Sequence, residues 1–188
     1  MKNLVLIGFM ASGKSVIGRE LAELIQYNFV DIDIELEKKL GKKIKQIHET
    51  YELDQINNYE QELVNDVYIL KKQLIALNMK AVCNDHLMRI LKHNSIIIFL
   101  KTDLQHSLQL SIEDEEKNNI KRIILSNYVK MNHFQKCKKY SSALRVLTDL
   151  NLLFDQYNDY VIDVRDKPVN IIVNQLYHYL CNKYKLLE

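Results

Sequence analysis

Glycine runs out early in this chain. All four glycines, Gly8, Gly13, Gly18 and Gly41, fall within the first 41 of 188 residues. A loop that needs the conformations only glycine adopts freely can therefore be built at the start of the chain and nowhere later. Pro168 is the only proline, and tryptophan is absent. The three cysteines, Cys83, Cys137 and Cys181, are far apart and odd in number, which excludes a disulfide framework or a cysteine zinc site and suits a reducing compartment. The six histidines show no ligand spacing; His133 and Cys137 lie one helical turn apart, and two ligands do not make a metal site. No apolar run approaches the roughly 20 residues of a membrane span. Met1-Lys2-Asn3 leads straight into a strand pattern with no signal peptide, so a cytoplasmic protein is expected. An excess of one charge is lacking too. A net charge of +2 with a pI near 8.3 draws the chain to neither nucleic acid nor membrane.

What is present is concentrated at Gly8-Phe9-Met10-Ala11-Ser12-Gly13-Lys14-Ser15. This string matches G-x-x-x-x-G-K-[ST], preceded by the apolar run Leu4-Val5-Leu6-Ile7 and followed by a helical pattern from Ser15 to Ile25. Backbone N–H groups of such a loop wrap a β-phosphate, aided by the positive end of the following helix. The expected nucleotide site comprises Gly8, Ala11, Ser12, Gly13, Lys14, Ser15 and Val16. Lys14 is expected on the β- and γ-phosphates and Ser15 on Mg²⁺, making ATP and Mg²⁺ the expected cofactors.

Strand and helix patterns alternate along the rest of the chain, which argues an α/β fold with a parallel sheet. Strands are expected at 27–30, 73–77, 95–100 and 160–163, besides the one before the loop. The nearly continuous apolar run Ser95–Leu100 reads as a strand buried on both faces. Helices are expected over 34–40, ended by Gly41, and over 44–51, 56–70, 85–91, 103–110, 120–157 and 169–180. The charge run Glu113–Asn119 reads as an exposed loop. With no linker or repeat, one domain spanning 1–188 is expected, and a monomer.

Other phosphate-loop classes fail on particular residues. A GTPase needs a D-x-x-G switch, and no glycine follows Gly41; its guanine reader would fall at Leu100-Lys101-Thr102-Asp103, where leucine cannot make the contact. A motor-type ATPase would end an apolar strand in Asp, whereas Leu74-Ile75-Ala76-Leu77 ends in Asn78. A small-molecule kinase fits the length and the early pair Asp31 and Asp33.

The segment from Leu6-Ile7-Gly8-Phe9-Met10 through Ile17-Gly18-Arg19-Glu20-Leu21-Ala22, then Phe29-Val30-Asp31-Ile32-Asp33 and Ile34-Glu35 with Gly41, resembles the shikimate kinase family. The specific match runs from Asn3 to about Val67 and returns as a pattern at Arg122-Ile123-Ile124-Leu125. The resemblance implies a three-layer phosphate-loop fold, with a five-stranded parallel sheet between helices, and transfer of the ATP γ-phosphate to a small hydroxylated acceptor. It implies that Asp31 supports Mg²⁺, that Asp33 orients the acceptor hydroxyl, and that Arg122 acts from a lid at about 112–128. Lys167 and Pro168 fall in the loop that meets adenine. The alternative for Asp31 and Asp33 is capping of the next helix.

Where that family clamps the acceptor carboxylate with arginines, this chain has Asn57 and, near the end of a late helix, Leu150; its glycine loop aligns near Asn78-Met79-Lys80. Two lost contacts to a charged group cost on the order of 3–6 kcal/mol, roughly 10²- to 10⁴-fold in binding. Lys80 or Arg145 offers a replacement charge. Efficient turnover of shikimate itself is not expected on these residues. Glu60, which accompanies the missing arginine, reads as structural. A nucleotide-binding relative without catalysis is the alternative reading.

Overall fold

The computed structural model describes residues 2–79, 81–118 and 133–184. Their elements, in chain order, are β1 (Asn3–Gly8), α1 (Lys14–Ile25), β2 (Asn28–Asp31), α2 (Ile32–Leu40), α3 (Ile44–Thr50), α4 (Leu53–Tyr68) and β3 (Gln73–Ala76). A 3-10 turn (Ala81–Cys83) leads into α5 (Asp85–Asn94), β4 (Ser95–Lys101), α6 (Leu104–Asn118), α7 (His133–Tyr157), β5 (Tyr160–Asp163) and α8 (Val169–Tyr184). Among these residues the strands form one parallel sheet in the order β2-β3-β1-β4-β5.

β1 lies at the centre. Leu4, Val5 and Leu6 pair with Leu74, Ile75 and Ala76 on one side, and with Ile96, Ile97 and Ile98 on the other. All six residues of β1 and the first six of β4 are buried. Their continuous apolar sequence follows, because helices cover both faces of a parallel sheet. Val5, Ile7, Ile75, Ile97 and Phe99 face one layer, where they meet Val64, Leu87, Leu91, Leu108, Leu147 and Phe154. Leu4, Leu6, Leu74, Ile96 and Ile98 face the other, formed by Ile17, Leu21 and Ile25 of α1 and Ile172, Leu176 and Leu180 of α8. A satellite core of Leu36, Ile47 and Ile56 ties α2, α3 and α4 together.

The expected strands, and the helices through Asn94 and after β5, are in place with small shifts at their ends; of the helix expected over 120–157, His133–Tyr157 is helical and 120–132 lie outside the described residues. Gly41 caps α2 in the left-handed conformation with φ 63°. One expectation fails. The charged stretch from Glu113 is not a loop: α6 continues through it to Asn118, with Ile112 buried against the interior. A run of four acids followed by lysine and asparagine, Glu113–Asn118, occurs in helices as well as in loops, and charge density alone does not distinguish the two. The first part of the expected lid is thus helical, and the remainder lies outside the described residues. Among the described residues no helix is long and apolar enough to cross a membrane.

The chain leaves β1 under tight constraint. Phe9 is fully buried, packed edge-on against Phe154 at 4.9 Å and 75° and near Phe99 at 6.5 Å. Gly8 has φ 150°, and a Cβ there would lie 2.7 Å from the backbone oxygen of Leu100. Gly8→Ala is expected to lower stability by about 1–3 kcal/mol through overpacking and strain, read as a lower urea midpoint at unchanged slope.

Candidate active site

The loop from Gly8 to Gly13 turns back over the end of β1. Ala11 and Gly13 take left-handed backbone conformations at φ 59° and 82°, and Ser12 N donates to Phe9 O at 3.3 Å. Gly13 opens α1 with no side-chain cap, and the first turn of α1 holds no acid. A helix start of this kind presents its N–H groups and positive dipole end to an anion. Lys14 Nζ lies across the loop, donating to Gly8 O at 2.8 Å and Phe9 O at 2.7 Å. Ser12 Oγ is buried with no hydrogen-bond partner among the described residues, and a buried hydroxyl left so is costly unless something else pairs with it. A loop of this shape and donor set fits a nucleotide phosphate.

The next group comes from β2. Ser15 Oγ donates to Asp31 Oδ2 at 2.6 Å, across the gap between α1 and the end of β2. Asp31 Oδ1 accepts from Asp33 N at 3.2 Å and caps α2. The capping alternative therefore holds for Asp31, whose other carboxylate oxygen is the one that meets Ser15. A hydroxyl and a carboxylate are hard oxygen donors, suited to Mg²⁺, which takes few protein ligands and completes its shell with phosphate oxygens and water. No group of three or more His, Cys, Asp or Glu side chains placed to hold a metal occurs among the described residues.

Asp33 opens onto a second group. Asn78, just beyond β3, donates from Nδ2 to Asp33 Oδ1 at 3.3 Å and to Glu60 Oε1 at 2.7 Å. Its Oδ1 accepts from Ala81 N at 2.8 Å. Glu60 on α4 is only 4% exposed. Sequence reasoning set Asn78 aside as the relic of a glycine loop and Glu60 as structural; the fold joins both to Asp33. The available signal was an Asn three residues before the backbone N–H it meets, the spacing of a helix N-cap.

The other expected residues fall in different places. Val16 is half exposed on the outer side of the first turn of α1. Lys167 and Pro168 are exposed between β5 and α8, at the C-terminal end of the parallel strands, where the loop after β1 also lies. Pro168 O accepts from Ile171 and Ile172 N, so the proline sits at the start of α8, where its fixed φ suits a first turn. Upstream in that connection, the Arg165 guanidinium grips Asp163 from Nε at 2.9 and 3.0 Å and holds its carboxyl down to about 2. Asn57 is exposed on α4, one turn before Glu60. Leu150 is buried in the interior of the α7 layer, where a charged side chain would have no water. Arg122 and Lys80 lie outside the described residues.

The chain has counterparts among known proteins. A family model described as shikimate kinase matches residues 10–181. A shikimate kinase from Persephonella marina is 34% identical over 122 residues, covering 65% of this chain and 74% of that protein. One from Caldanaerobacter subterraneus subsp. tengcongensis is 27% identical over 186 residues, 94% of each. Among solved structures, a shikimate kinase from Acinetobacter baumannii in complex with shikimate superposes with a TM-score of 0.81 at 24% identity, over 98% of this chain and 96% of that one. The match spans both the phosphate loop and the later helices, and the chain belongs to the shikimate kinase family.

Proposed function

We propose that this protein is an ATP- and Mg²⁺-dependent kinase that transfers the γ-phosphate of ATP to a hydroxyl of a small acceptor. The observation that carries this reading is the 2.6 Å contact between Ser15 and Asp31. It fastens the end of the phosphate loop to the segment bearing Asp33, so a phosphate-binding element and a carboxylate for the acceptor are neighbours. Membership of the shikimate kinase family supports a phosphotransferase acting on an alcohol group.

In this reading Gly8, Ala11, Ser12, Gly13 and Val16 shape the phosphate cradle, and Lys14 turns from its carbonyl partners to the β- and γ-phosphate oxygens. Ser15 and Asp31 hold Mg²⁺, which when bound supplies a hard counter-charge to those oxygens. Asp33 accepts a hydrogen bond from the acceptor hydroxyl and aligns it; in phosphoryl transfer such alignment and electrostatic stabilisation supply most of the catalysis. Lys167 and Pro168 border the adenine. Arg122 provides a cation to the transferred group, from a lid at about 112–128. The whole chain, 1–188, serves as one catalytic domain.

The acceptor side is polar and lacks an arginine at Asn57 and at Leu150. Shikimate is the first acceptor to test, and its binding should be weak. ADP release measured with Mg·ATP and a panel of shikimate, other hydroxy acids and sugars should rise above basal hydrolysis with at least one of them. No stimulation by any, with ATP still stabilising the fold, would favour the non-catalytic reading. Lys14→Met should lower turnover by about 10- to 100-fold, the worth of one hydrogen bond to a charged group.

Asn57→Arg adds a planar fork beside the acceptor and should lower the KM for shikimate by about 10-fold or more, leaving the KM for ATP unchanged. An equal fall in KM for acceptors without a carboxylate would contradict the proposed placement of Asn57.

A further inference from the structure

Asn78 occupies a position where the direction of its amide is settled by its partners. Ala81 N is a backbone donor, so the atom facing it at 2.8 Å must be the amide oxygen. The Nδ2 group then faces two carboxylates, Glu60 Oε1 at 2.7 Å and Asp33 Oδ1 at 3.3 Å, with one hydrogen for each. The anchor is itself rigid: Ala81 and Val82 are buried, and their 3-10 turn packs between α4, α5 and α7. Glu60, on a different helix from Asp33, is buried beside it.

We propose that Asn78 is a positioning residue for phosphoryl transfer, holding the Asp33 carboxylate towards the acceptor against the fixed pair of Glu60 and the Ala81 backbone. The inference rests on the kinase reading above. A neutral donor orients a carboxylate without bringing a cation against it. Interior packing is thereby relayed to Asp33 in three steps: the buried turn sets the Ala81 N–H, the N–H sets the amide, and the amide sets the carboxylate.

Two substitutions separate this role from that of a turn anchor. Asn78→Ala removes donor and acceptor together. Asn78→Asp keeps an oxygen for Ala81 N, and so the turn, but turns a second oxygen towards two carboxylates. Steady-state kinetics with the best acceptor of the panel should show kcat reduced by about 10- to 100-fold in both variants, with the KM for ATP within about twofold and ATP-dependent thermal stabilisation retained. In an Asp33→Asn background, Asn78→Ala should cost less than about twofold, because the group it acts through is already altered. Wild-type kcat in Asn78→Asp, or a full additive loss in the double variant, overturns the proposal.

A second readout does not depend on turnover. The side-chain amide resonances of Asn78 in a ¹⁵N-edited NMR spectrum should shift on Glu60→Gln and again on Asp33→Asn, one proton for each partner. If neither moves, the bridge is absent in solution and the proposal falls. If both move but no acceptor stimulates the wild type, the kinase reading fails. The positioning role of Asn78 fails with it, leaving the bridge as a structural contact.

Discussion

Everything in the site depends on the confinement of β1. The strand is hydrogen-bonded along both edges, to β3 and to β4, and covered on both faces by helices. Its end therefore has no freedom, and Phe9, packed edge-on against Phe154, carries that fixity one residue beyond the strand. A phosphate loop must hold several N–H groups converged on a single point. The loop here departs from a strand buried on both faces and returns at once into a helix seated on the same sheet.

From this fixed origin the site is assembled by short links between neighbouring strand ends. Ser15 reaches Asp31 at the end of β2, Asp31 caps the helix that bears Asp33, and Asp33 meets Asn78 beyond β3. The strand order places β2 and β3 on one side of β1 and β4 and β5 on the other. Asp31, Asp33 and Asn78 therefore come from the first side, while Lys167 and Pro168 come from the second.

The parts of this legible in the sequence were those carried by local pattern. The phosphate loop shows itself through glycine spacing, and β1 and β4 through unbroken apolar runs. The buried faces of α1 and α8 show through helical periodicity, and Asp31 and Asp33 through their place after a strand. What escaped depended on long-range contact or on ambiguity of composition. Nothing local reveals that Asn78 meets Glu60 and Asp33, which lie 18 and 45 residues away. The charged stretch after Ile112 has a composition that a loop and an exposed helix share, and only the structure assigns it to α6. Leu150 stands in a helix whose inward face is set by packing against the sheet, so its burial follows from the fold and not from its neighbours in sequence.

The central place of β1 also has a consequence for how the chain reaches its fold. Leu4 must find Leu74 on one side and Ile96 on the other, so the middle strand cannot be completed by any local hairpin. Closing loops of that length carries an entropic cost before the pairing returns any stabilisation, and parallel sheets of high contact order fold slowly for this reason. The phosphate loop, hung on that strand, should acquire its shape only as the sheet closes. Nucleotide binding competence would then appear late in folding, and a chain able to bind ATP would be one whose sheet is already complete.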